Sequence, residues 1–160
     1  MRFVRLRKKA ARYLRLQREM KLLLVEAFFY LGWARMLKML PFSRISPSLG
    51  VCMRETAMDC EPDRIALIRD ISCAVRLMSR YTWWESKCLV MAIAAMKMLK
   101  RRGIESTLYL GTAKDAAGNM IAHAWLRSGS MYVTGAEFKD RFTVVATFGN
   151  MISHGKKIRE

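Results

Sequence analysis

Residues 103–134 read GIESTLYLGTAKDAAGNMIAHAWLRSGSMYVT, and this stretch decides the fold. Thr107–Leu110 is a short run of residues that favour extended backbone. Lys114–Asn119 (KDAAGN) has turn composition, Met120–Arg127 is a second strand, Ser128-Gly129 a tight hairpin, and Met131–Thr134 a third strand. Further on, Phe142–Phe148 (FTVVATF) is rich in β-branched residues and predicts a fourth strand. Four short strands joined by turns predict an antiparallel meander.

Upstream the period changes from two to nearly four. Leu89, Ile93, Met96 and Leu99 form one apolar helical face. This helix is expected to start near Ser86, with Ser86 as N-cap or with Thr82 and Glu85 as a capping box one turn earlier. Lys100, Arg101 and Arg102 suit the negative end of its dipole, and Gly103 is a natural stop. An earlier helix opens at Glu61-Pro62-Asp63, since Pro is tolerated in a first turn. Ile65, Ile68, Ile71, Val75 and Met78 give its buried face, with Cys73 expected as an inert core thiol. Helices first and an antiparallel sheet afterwards make the α+β class, with a Cys-bearing helix packed on the sheet.

The first fifty residues differ in composition. Residues 1–21 hold nine basic side chains and one acid, Glu19, and the apolar run Leu22–Ala34 follows. Glu26 interrupts that run, and Arg35-Met36-Leu37-Lys38 follows it in place of a small-residue cleavage site, which argues against a signal peptide. Glu26, Arg35 and Lys38 also argue against a membrane span. A long amphipathic helix ending near Pro41 is expected, then a turn-rich linker, Ser43–Gly50 (SRISPSLG). The division is therefore residues 1–50 as a basic amphipathic helical arm and linker, and 51–160 as the core.

The 160 residues suffice for one compact domain, and 52% hydrophobic composition excludes a disordered chain. A net charge of +16 favours anionic partners: nucleic acid, acidic lipid, or an acidic protein or peptide. Four cysteines without a CxxC pair and two histidines, His123 and His154, provide no zinc-ligand cluster. Reduced thiols, a cytoplasmic location and no metal or cofactor are expected.

Two residues carry candidate chemistry. Cys88 falls near a helix start, where unpaired backbone N–H groups and the positive dipole end favour a thiolate, the nucleophilic form of cysteine. His123 lies mid-strand, sharing a face with Ile121 and Trp125. A helix followed directly by a sheet can set a cysteine against a histidine on a neighbouring strand, and such a histidine takes the thiol proton and returns it to a leaving amine. As bland alternatives, Cys88 is a small core residue and His123 a structural strand histidine.

The ordered combination of Cys88-Leu89-Val90-x-Ala92, Leu99-Lys-Arg-Arg-Gly103-Ile104, Leu108-x-Leu110-Gly111 and Ala122-His123-Ala124-Trp125-Leu126 resembles the leader peptidases of lasso-peptide biosynthesis. These belong to the transglutaminase-like cysteine protease superfamily, with a transglutaminase/papain-like core. The match runs from about Trp83 to Phe148, with weaker agreement before Pro41. The resemblance implies removal of a leader from a ribosomally made precursor peptide, after which a separate ATP-dependent macrocyclase closes the new N-terminus onto an acidic side chain. It implies Cys88 as nucleophile and His123 as general base. The third member, an Asp at the end of the next strand, is replaced: Thr134 or Gly135 stands there. Glu137 is the nearest downstream carboxylate able to orient His123, ahead of Asp140 and Asp115, and a Cys–His dyad without a carboxylate also works in principle. The Cys88 backbone N–H and an indole N–H from Trp83 or Trp84 are the candidate oxyanion donors. Residues 1–60 lack the strands of a leader-recognition domain, which implies a separate leader-recognition protein as partner.

Three further expectations attach to charge and fold. Residues 1–40 are a candidate for peripheral contact with the inner membrane surface. Nucleic-acid binding or an adaptor role with structural Cys and His is the competing class, although no recognised motif supports it and no nucleic acid is expected. Acyl transfer to an amine on the same fold is the third reading, through the same thioester.

Overall fold

The computed structural model describes residues 18–152, so the basic segment before Arg18 and His154 lie outside the described residues. In chain order the elements are α1 (Arg18–Leu37), α2 (Phe42–Leu49), β1 (Val51–Cys52), α3 (Pro62–Ser79), α4 (Cys88–Lys100), β2 (Ser106–Lys114), β3 (Met120–Ser128), β4 (Met131–Thr134), a 3₁₀ helix (Ala136–Arg141) and β5 (Thr143–Asn150). The α+β class stands.

The central element is α4. The sequence suggests one apolar face; instead Val90, Ala92, Ile93, Ala94, Ala95, Met96, Met98 and Leu99 are all buried, so the helix is covered nearly all round. It packs against α1 and α3 on one side and against β2, β3 and β4 on the other. The alanines permit this close approach. Its end is a Schellman motif: Ile104 N–H donates to Leu99 O (3.1 Å), Gly103 N–H donates to Lys100 O (3.1 Å), and Gly103 takes φ 66°. The chain then turns straight back into β2.

The sheet runs β1-β5-β2-β3-β4, with every described pair antiparallel. The expected meander holds for β2-β3-β4 only. The last strand does not pair with β4; the 3₁₀ helix carries the chain across, and β5 joins the free edge of β2, giving Greek-key order. β4 has only four residues, whereas β2 offers nine, so the eight residues of β5 satisfy more backbone groups beside β2.

Two other expectations change. Ser43–Gly50 is not a linker: Phe42–Leu49 is helical, because Ile45 and Leu49, four apart, both bury in the core. Cys73 is exposed, since α3 turns its Ile68, Ile71, Ala74 and Val75 inward and leaves position 73 on the opposite face. α1 buries Leu23, Leu24, Ala27, Leu31 and Ala34 in the same core, so this helix packs with the residues beyond 50. Glu26 on α1 receives a two-pronged ion pair from Arg102 (2.9 and 2.5 Å), which clamps α1 onto the end of α4. That pair holds the Arg102 guanidinium above its ordinary pKa.

Candidate active site

Cys88 is the first residue of α4, after Lys87 in extended conformation at the N-cap. Neither expected cap forms. Thr82 Oγ1 and Ser86 Oγ bond each other (2.9 Å), and no side chain caps the helix. The first-turn N–H groups of α4 therefore have no capping side chain, and Cys88 sits at that positive end. Lys87 pairs with Glu85 (2.5 Å), which Lys38 also approaches (3.9 Å). This pairing with Lys87 lowers the Glu85 pKa, and the same bond raises that of Lys87, with a smaller electrostatic contribution from Cys88.

His123 is half-buried in β3, opposite Gly111 of β2. Its Nε2 lies 2.8 Å from Gly135 O. A carbonyl only accepts, so Nε2 carries the proton and donates, leaving Nδ1 as the basic nitrogen. The ring rests among aromatics, with Phe142 at 5.0 Å, Trp125 at 5.9 Å and Phe138 at 6.4 Å between centroids.

Gly135 takes φ 74°, and a Cβ there would lie 2.4 Å from Ala124 O. The position where a third catalytic carboxylate is expected thus has no room for a side chain, and a backbone carbonyl meets the imidazole instead. Glu137 is not brought to His123. Its carboxylate pairs with Arg76 of α3 (2.8 Å), because the 3₁₀ turn that begins at Ala136 directs it to the helical side. Asp140 is exposed beside Lys139, and Asp115 caps its own turn through Ala117 and Asn119. Bonds from Asn119 hold the Asp115 pKa down.

Trp83 is 84% exposed and touches Phe28 and Trp84. Trp84 is half-buried against Gly32 of α1, and its Nε1–H is buried without a hydrogen-bond partner. That unpaired donor lies four residues before Cys88.

The relation between thiol and imidazole follows from the topology. α4 rises about 18 Å from Lys100 back to Cys88. After the tight reversal, β2 runs about 16 Å from Ser106 to Gly111, the partner of His123. Cys88 and His123 are therefore level at one end of the molecule. Their faces differ: Ala124 and Leu126 face the core that Cys88 adjoins, while His123 shares the other face with Trp125 and Tyr109. No hydrogen bond joins the two among the described residues. None of the described residues form a cluster of three or more His, Cys, Asp or Glu able to hold a metal ion.

The sequence reading missed a buried arginine. Arg127 is 1% exposed on the His123 face and is fully bonded: Nε to Tyr109 Oη (2.9 Å), Nη1 to Gly129 O (2.7 Å), and Nη2 to Thr56 O (3.0 Å) and Glu55 Oε2 (3.2 Å). It ties the 53–60 segment over the sheet. Its only sequence signal is its place in a strand, which alternation alone assigns to solvent.

The family model described as "Transglutaminase-like superfamily" matches residues 27–147. The comparison with curated proteins returned no match, and neither did that with solved structures.

Proposed function

The chain belongs to the transglutaminase-like superfamily, and from that premise we propose that it is a cysteine peptidase that removes the leader from a lasso-peptide precursor. The Cys88 thiolate attacks the carbonyl carbon of the leader–core bond. His123, through Nδ1, takes the thiol proton and gives it to the leaving amine of the core. Water then hydrolyses the thioester, releasing the leader carboxylate and regenerating the thiol. Gly135 O holds the ring in the Nε2–H tautomer, the task a carboxylate performs in a triad. The Cys88 backbone N–H and the unpaired Trp84 indole are the oxyanion donors. Trp83 belongs to the substrate-positioning wall.

The observation that carries this reading is the His123 tautomer. A histidine with Nε2–H bound to a carbonyl keeps an unprotonated Nδ1, and Cys88 opens α4 at an N-terminus that no side chain caps. Catalysis requires thiol and imidazole to come within hydrogen-bond reach, so in the reaction the His123 ring must leave the Trp125 and Tyr109 face of the sheet and turn toward the side that α4 covers. A separate leader-recognition protein presents the precursor, and a macrocyclase consumes the released core, all within the cytoplasm.

The test mixes the full chain with a precursor and its leader-binding partner and follows leader release by mass spectrometry. Release should vanish with Cys88→Ala and fall by about 10²-fold or more with His123→Ala. Release unaffected by Cys88→Ala removes the nucleophile assignment. An amide product with an added amine, in place of the free carboxylate, assigns acyl transfer instead.

A further inference from the structure

α1 is apolar on both faces. Its buried face is Leu23, Leu24, Ala27, Leu31 and Ala34. On the opposite side Leu22, Val25, Phe29, Trp33 and Met36 recur at spacings of three and four, and all are exposed: 70% for Leu22, 69% for Phe29, 65% for Met36. At 100° per residue these five fall within about an 80° stripe. Leu22 to Met36 spans about 21 Å along the axis. A solvent-facing helix surface ordinarily carries polar residues, so this stripe calls for an occupant.

Charge indicates which. Arg18 opens the helix, and Arg35 and Lys38 stand at its far end. Of the two acids in α1, Glu26 is occupied by Arg102 and approached by Arg101, and Glu19 lies in the first turn. Residues 1–17, which lead directly into α1, contain seven cations and no acid. A long apolar stripe with Phe and Trp, flanked by cations, is the composition of a helix that lies in the plane of an anionic lipid surface. No described helix is long and apolar enough to cross a membrane. We propose that the outward face of α1 docks this protein on an anionic bilayer, its side chains inserted at headgroup depth and the basic residues on the lipid phosphates. This inference rests on no part of the peptidase reading and is tested without substrate.

The experiment is co-sedimentation of the full chain with phosphatidylcholine vesicles and with phosphatidylcholine–phosphatidylglycerol vesicles. The wild type should bind the anionic vesicles, release as salt rises, and show quenching of tryptophan emission by brominated acyl chains. Phe29→Glu with Met36→Glu should weaken partition by roughly tenfold or more, with an unchanged far-UV spectrum and melting temperature. Vesicle binding that survives this double substitution assigns attachment to charge alone and overturns the proposal. No binding to anionic vesicles overturns it too. A concentration-dependent dimer that Phe29→Glu dissolves, without vesicle binding, would give the face to a second copy of the chain.

Discussion

At the residue scale the decisive contact is between His123 Nε2 and Gly135 O. Replacing Gly135 by Asp, which would restore the carboxylate expected at that place in the resembling family, should impair the protein. The φ of 74° and the 2.4 Å approach to Ala124 O both oppose a side chain. We expect a loss of about 1–3 kcal/mol in stability, measured by urea unfolding, and slower leader release. Glu137→Gln behaves differently. The carboxylate is paired with Arg76 at the half-exposed surface, so activity should stay within about twofold of wild type, and stability should fall by no more than about 1 kcal/mol. A large kinetic loss with Glu137→Gln would return that residue to the histidine.

At the element scale two clamps hold the architecture. Arg102 and Glu26 join α1 to α4, and Arg127 joins the 53–60 segment to the β2–β3 face. Arg127→Ala leaves Tyr109 Oη, Thr56 O and Gly129 O without their buried donor, while the exposed Glu55 keeps its bond from Tyr109. The expected cost is about 1–3 kcal/mol for the buried acceptors left unbonded, with faster hydrogen exchange confined at first to residues 53–60. Arg127→Met, which fills the volume without the charge, should recover part of that loss. At the reversal after α4, Gly103→Ala places a Cβ at φ 66° and should cost about 1 kcal/mol or more.

At the scale of the whole molecule, stability should fall at high pH. Burial is the main reason the Tyr109 phenol sits above its ordinary pKa, and its Oη also donates to Glu55 (2.8 Å). The unfolded phenol loses its proton near pH 10, while the folded one keeps it longer. The unfolded state then binds fewer protons, so the Tyr109 contribution is complete below about pH 10 and is lost as pH rises through the folded value. Lys97 acts with the opposite sign, because burial depresses its pKa and deprotonation at high pH relieves that cost. Urea midpoints across this range for wild type and Tyr109→Phe check the assignment: the decline should be shallower in Tyr109→Phe.

The sequence alone determined the α+β class, α3, the end of α4 at Gly103, β4, nearly all of β3 and most of β5, but only Thr107–Leu110 of β2 and nothing of β1. Those are local matters: hydrophobic period, a Pro in a first turn, a Gly beyond a helix, β-branched runs. It also brought Cys88 and His123 forward as a candidate pair, because a helix followed by a sheet can set them together; the structure puts His123 on the sheet face away from α4. Only the tertiary structure decided that β5 crosses to β2, since strand partners are chosen by the sum of non-local hydrogen bonds. Ser43–Gly50 became a helix because Ile45 and Leu49 found a core to enter. Cys73 faced outward because at 100° per residue it stands about 170° from the centre of the Ile68, Ile71, Ala74 and Val75 face, which the apolar spacing itself implied. The partner of His123 was a backbone carbonyl, which every residue possesses and no sequence marks. Buried Arg127 was concealed likewise: its cost is met by Tyr109, Glu55, Thr56 and Gly129, groups that only folding brings together.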